Sequence, residues 1–216
     1  MKEFDAVIFD MDGVIFDSER ATMDCWIELA EKYSIPDIKT PYYKCIGVNA
    51  AKTREIMINT YGKDFPYDRY AKEASLMYHD RYDGGRLPVK KGVRLILEFL
   101  KKHDKKIALA SSSKKETVIS QLRDADILRF FDEIVTGDMV EKSKPEPDIF
   151  LKACEKTGVL PERAYAIEDS INGIRAAYSG KLKPIMVPDI LPADDEMRQK
   201  AEAVLENLEE VADYLS

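Results

Sequence analysis

The sequence predicts an α/β fold: a parallel sheet with helices on both faces, interrupted near its start by an all-helical insertion. Three observations carry that expectation. Short apolar runs with the β-branched and aromatic content of buried strands recur along the chain. From residue 86 onward each run alternates with a stretch of helical spacing, and strand-helix units of that length imply parallel pairing. Between residues 17 and 85 no convincing strand occurs, so a helical block stands between two halves of something else.

The first run, Ala6-Val7-Ile8-Phe9, leads directly into Asp10-Met11-Asp12-Gly13. On a strand, acids two residues apart project to one face, and the glycine after them permits a sharp exit turn. Asp17 and Ser18 can cap a helix that carries Met23, Trp26, Ile27 and Ala30 at helical spacing. Pro36 and Pro41 punctuate the segment after it. Gly47-Val48-Asn49 leads into an expected helix over 50–61, and Pro66 opens another over 67–82. After Asp83-Gly84-Gly85 the pattern changes to a helix over 92–102 and a strand over 106–110 that runs into Ser111-Ser112-Ser113. A helix over 115–124, a strand over 133–136, a loop with Lys144-Pro145 and a helix over 148–157 come next. The strand 164–167 ends in Glu168-Asp169-Ser170 and another helix, and 184–187 is a further strand. Asp194-Asp195-Glu196 is the solvated start of a helix. The expected division is therefore a core of 1–16 and 86–216 with a helical block over 17–85.

Composition bounds the function. At 216 residues, 45% hydrophobic and 34% charged, the chain is expected to be a soluble globular protein. No apolar run approaches the ~20 residues that cross a bilayer. The formal charge of -7, with basic residues dispersed among acids, argues against nucleic acid as a partner and against a large apolar docking face, so a monomer is expected. The chain enters its first strand at once, leaving no room for a signal peptide. Cys25, Cys45 and Cys154 are far apart and have no zinc spacing, as expected of reduced thiols in a cytoplasmic protein. With only His79 and His103 present, both on expected helices, a bound metal must be an oxygen-ligated hard cation, Mg²⁺ before Zn²⁺.

Open α/β sheets bind ligands beyond the carboxyl ends of their strands. The polar residues that follow the expected strands are Asp10 and Asp12, then Ser111 to Ser113, then Lys144, then Glu168 and Asp169. Carboxylates can hold Mg²⁺, a lysine can neutralise phosphate charge, and serines offer hydroxyl and backbone N–H donors to an anion. That set suits phosphoryl transfer, which depends on positioning and charge stabilisation. Each member also has a plain structural use: the serines, Glu168 and Asp169 could cap helices, and Lys144 could be a solvated loop residue. A calcium loop is a poorer match to Asp10-Met11-Asp12-Gly13, because Val14-Ile15-Phe16 offer no ligands.

The motifs FDMDGVIFDSE from Phe9, ALASSSK from Ala108, KSKPEPDIF from Lys142 and IEDSINGIRAA from Ile167 stand in the order seen in the haloacid dehalogenase-like hydrolases. The chain most resembles the β-phosphoglucomutase-like phosphatases, over nearly its whole length. The resemblance implies a Rossmann-like core with a helical cap domain, a small phosphorylated substrate and Mg²⁺. It makes Asp10 the nucleophile that forms an aspartyl-phosphate, and Asp12 the acid that protonates the leaving oxygen and then activates water. Ser111 and the backbone of Ser112 would bind the phosphoryl group, and Lys144 would orient Asp10. Mg²⁺ would be held by Asp10, the Asp12 backbone carbonyl and Asp169, with Glu168 as a secondary acidic contact. Asp12 favours cleavage or transfer of a phosphate ester, whose alkoxide needs an acid. Against the mutase pattern, Ala50 stands where an arginine grips a second phosphate, and Thr22 where a histidine stands. Hydrolysis, with a sugar phosphate as first guess, is therefore expected ahead of mutase activity. Lys52 or Arg54 could supply a substitute charge, and a phosphate-binding protein without turnover is the alternative of another class.

Overall fold

The computed structural model describes every residue except Met1, Gly47 and Asn49, so the expected lead-in loop at 47–49 lies largely outside the described residues. The chain divides into two compact units, Met1–Asp17 with Pro88–Ser216, and Ser18–Leu87. In chain order, β1 (Ala6–Phe9) precedes four helices, α1 (Ser18–Tyr33), α2 (Lys39–Tyr43), α3 (Ala50–Tyr61) and α4 (Tyr67–Tyr82). Then come α5 (Val93–Lys102), β2 (Lys106–Ser111), α6 (Lys115–Asp124), β3 (Glu133–Thr136) and α7 (Asp148–Thr157). The chain ends with β4 (Ala164–Glu168), α8 (Ile171–Ser179), β5 (Lys183–Met186), α9 (Asp195–Lys200), β6 (Ala203–Val204) and α10 (Leu208–Leu215).

The six strands form one parallel sheet in the order β3-β2-β1-β4-β5-β6. The first strand in sequence thus lies at the centre, with Ile8 in register with Ala108 on one side and Ala166 on the other. A parallel strand covered on both faces is apolar throughout, and all four residues of β1 are buried. Ala6, Ile8, Ala108, Ala110 and Ala166 pack against Ile149, Phe150 and Ala153 of α7 and Ala176 and Ala177 of α8. The alternate residues Val7, Phe9, Ile107 and Leu109 are also buried and point to the opposite face. Helix α5 packs on β2, and α10 packs on α5.

Two elements bracket the passage between units. Asp12 and Phe16 form a short parallel bridge, and Phe16 and Val89 an antiparallel one. The Asp17 N–H donates to Pro88 O at 2.9 Å and the Lys90 N–H to Ile15 O at 2.9 Å, so residues 15–17 and 88–90 run as a narrow ribbon. The unit Ser18–Leu87 is helical, and its described residues contain no strand. Trp26, Leu29, Ala30, Ile38, Tyr42, Met57 and Ala74 make its core, with α1 packed along α4.

Several elements differ from expectation. Strand β2 runs on to Ser111 and β4 to Glu168, while β5 lies one residue earlier than expected. Three short elements lie outside the expected set: α2, β6 and α10, the last although it places Leu208, Val211, Ala212 and Leu215 at helical spacing. Pro41 is tolerated in α2 because it sits in the first turn, where backbone N–H groups have no helical partner. His79 lies on α4, but His103 is the residue just past α5. The three cysteines are free thiols. Among the described residues, no helix is long and apolar enough to cross a membrane.

Candidate active site

The acid pair does not share a strand face. Strand β1 ends at Phe9, and Asp10 extends it only by donating its N–H to Ile167 O at 2.9 Å. The chain then folds back: Ile15 and Phe16 both donate to Met11 O, and Gly13 donates to Phe16 O. Gly13 takes a left-handed φ of 78°. A Cβ there would lie 2.2 Å from Asp169 Oδ2, so the turn and the approach of Asp169 both require glycine. Asp10 is left buried at the sheet end, and Asp12 half-buried on the turn.

Lys144 reaches the same point from the loop between β3 and α7. Its Nζ lies 2.5 Å from Asp10 Oδ1 and 2.5 Å from Glu168 Oε1, and donates to Ala110 O at 3.1 Å. Three acceptors match the three N–H bonds of an ammonium, so a charge that is only 7% exposed is fully satisfied. Burial alone would lower the pKa of Lys144, but the two carboxylates outweigh it and hold the group charged.

Glu168 ends β4 with no exposure. One oxygen faces Lys144, and Oε2 accepts from the Ser170 N–H at 3.3 Å and Oγ–H at 3.0 Å. Carboxylate oxygens of Asp10, Glu168 and Asp169 lie within 4.8 Å of one another. Burial pushes the Asp10 carboxyl up to about 8; Lys144 opposes this, and the negative charges of Glu168 and Asp12 add to it. Two buried carboxylates thus share the Lys144 ammonium, and together with Asp169 the all-oxygen set fits a hard divalent cation. Both oxygens of Glu168 are engaged, by Lys144 and by Ser170, while Lys144 holds one oxygen of Asp10.

Ser111, fully buried at the end of β2, accepts the Ser113 N–H on its Oγ at 3.1 Å. Ser112 is exposed. Neither the serines nor the acids are helix caps: α6 starts from Lys114 with no side-chain cap, and α8 is capped by Ser170, whose Oγ accepts the Gly173 N–H at 3.0 Å. The residues expected to carry chemistry, Asp10, Lys144, Glu168 and Asp169, therefore converge, while Asp12 connects to the Ser111–Ser113 turn through Ser113. That last contact, Ser113 Oγ–H to Asp12 Oδ2 at 3.0 Å, gives Ser113 a role the run of three serines did not single out. Ser170 was hidden in the same way among neighbouring capping residues.

The profile of the family described as haloacid dehalogenase-like hydrolase matches residues 7–187. A protein of Thermotoga maritima named phosphorylated carbohydrates phosphatase is 33% identical over 184 residues, 84% of this chain and 83% of its own. The β-phosphoglucomutase of Bacillus subtilis is 34% identical over 215 residues, 95% of this chain and 94% of its own. Among solved structures, a β-phosphoglucomutase from Clostridium difficile superposes with a TM-score of 0.77 at 26% identity, covering 96% of this chain and 93% of that one.

Proposed function

Because the chain belongs to the haloacid dehalogenase-like hydrolases, we propose that it is a Mg²⁺-dependent phosphatase that hydrolyses a small phosphorylated metabolite, a sugar phosphate first, through an aspartyl-phosphate on Asp10. The observation that carries this is the Lys144 ammonium bridging Asp10 and Glu168 beside Asp169. A nucleophilic carboxylate must be ionised and aimed; Lys144 aims Asp10 by holding one of its oxygens and favours the ionised form against burial, and a cation bound at the site would complete the ionisation. Glu168, anchored by Ser170, fixes Lys144 in turn. A carboxylate oxygen of Asp10 attacks phosphorus as the ester P–O bond breaks, and Asp12 gives its proton to the departing alkoxide. Asp12 then takes a proton from water, which attacks the acyl phosphate and releases phosphate with Asp10 restored. Ser111 and the backbone of Ser112 hold the phosphoryl oxygens. Asp10, the Asp12 carbonyl and Asp169 would hold Mg²⁺, which would supply the positive charge that lets an anionic nucleophile approach a dianion. The helical unit is the cap that selects substrate, and the free thiols suit a reducing cytoplasm.

A mutase is the second reading, favoured by the Bacillus subtilis relative. It requires a grip on a second phosphate, and Ala50 at the start of α3 offers none. The nearby cations are already paired: Arg54 binds Asp68 through Nε and Nη2, each at 3.0 Å, and Lys52 lies 2.7 Å from Glu55. Phosphate release should be measured across sugar and nucleotide monophosphates with and without Mg²⁺. Conversion of β-glucose 1-phosphate to the 6-phosphate faster than phosphate release would reverse the order, and binding without any release would remove the enzyme.

A further inference from the structure

We infer that Ser113 is a positioning residue for proton transfer to the leaving group, acting through Asp12; this rests on the phosphatase reading above. Its hydroxyl donates to Asp12 Oδ2 at 3.0 Å across 101 residues of sequence. A serine hydroxyl keeps one direction where its backbone is placed and its proton has an acceptor, and here Asp12 is the acceptor and the backbone is fixed on both sides. The Ser113 N–H is held by Ser111 Oγ at 3.1 Å, and its carbonyl accepts the Gly137 N–H at 3.1 Å. Gly137 also lies so close that a Cβ on it would come 2.3 Å from Ser112 O, which locks the turn against the end of β3.

A hydroxyl donating to Oδ2 keeps that oxygen an acceptor, fixes the carboxyl's rotation, and leaves the transferable proton on Oδ1. In the first step the Asp10–phosphorus bond forms and the ester P–O bond breaks. The Oδ1 proton moves to the departing oxygen, giving a neutral alcohol and an Asp12 carboxylate that still accepts from Ser113. Ser113 touches no reacting atom in this scheme. It sets the angle at which the acid meets them.

The test is a series of aryl phosphates differing only in ring substituent, from phenyl to 2,4-dinitrophenyl, read as kcat/KM. A good leaving group departs without an acid, so loss of acid positioning must grow as the leaving group worsens. Ser113→Ala is expected to lose about ten-fold more on phenyl phosphate than on the dinitrophenyl ester, a partial loss of a general-acid contribution. Ser113→Thr, which keeps the hydroxyl, is expected to restore the wild-type trend. Equal losses along the series, or no loss, would overturn the inference, since a merely structural or substrate-contacting serine acts alike on all members. Asp12→Asn separates the two levels. If it steepens the trend while Ser113→Ala does not, the inference alone fails; if Asp12→Asn leaves the trend unchanged, the phosphatase assignment of Asp12 fails with it.

Discussion

Gly173 lacks a side chain where the Glu168 carboxylate needs the room: a Cβ on Gly173 would lie 1.8 Å from Glu168 Cδ and 2.0 Å from both of its oxygens. The glycine is the third residue of α8, where alanine is the better helix former by roughly 1 kcal/mol. Gly173→Ala therefore separates sterics from propensity. Overpacking of this kind costs about 1–3 kcal/mol. The variant is expected to be less stable in urea despite its improved helix, and to lose turnover because Glu168 no longer anchors Lys144. Wild-type activity with raised stability would show that Glu168 moves freely.

Lys144 is the ammonium that buried Asp10 and Glu168 share. Lys144→Met keeps its length and removes its charge, and breaking a buried pair from one side costs about 3–5 kcal/mol. Denaturant unfolding in EDTA should register a loss of that size, and kcat should fall at least about 100-fold. Added Mg²⁺ is expected to stabilise the variant by binding the folded form.

The Asp10 carboxyl gives a pH signature. Its folded value of about 8 lies above the ordinary 3.8, so the folded chain keeps a proton that the unfolded chain gives up. Metal-free stability should then fall as pH rises from about 4 to about 8 and level off beyond. Asp10→Asn lacks this contribution and should gain on the wild type over that window while losing all turnover. Parallel stability curves for the two proteins in EDTA would contradict it.

Asp132 behaves in the opposite sense. Burial pushes its carboxyl up, but the Ile107 N–H at 2.8 Å and Lys101 at 3.0 Å outweigh it and hold it below the ordinary 3.8. A depressed carboxyl contributes stability above its unfolded value and loses it as pH falls through the folded one. Asp132→Asn should cost about 1 kcal/mol at neutral pH, discounted for partial exposure, and the cost should shrink at acid pH as the carboxylate takes up its proton. Thermal unfolding at the two pH values would check this.

Strands β1 to β4 were legible because a strand covered on both faces must be apolar without interruption. Asp10, Lys144, Glu168 and Asp169 were legible because each follows such a run. What failed was local geometry. Asp10 and Asp12 were expected on one strand face, yet the strand stops at Phe9 and a left-handed Gly13 turns the chain. In Glu168-Asp169-Ser170 all three residues can cap a helix, and only coordinates assign the cap to Ser170. Nothing in Ser111-Ser112-Ser113 distinguishes the serine that meets Asp12. The two residues of β6 are too few to alternate, whereas α10 is written in Leu208, Val211, Ala212 and Leu215 at helical spacing behind Asn207, whose Oδ1 accepts the N–H groups of Glu209 and Glu210.

The ribbon that pairs Phe16 with Val89 brings the two cut points of the sheet unit side by side. A tight hairpin spliced between Asp17 and Pro88 would bridge that gap without rethreading any strand. Seventy residues can thus be exchanged as a cassette while the order of the sheet stays untouched. Under the proposed function, such an exchange is expected to change selectivity while leaving Asp10, Lys144 and Asp169 in place.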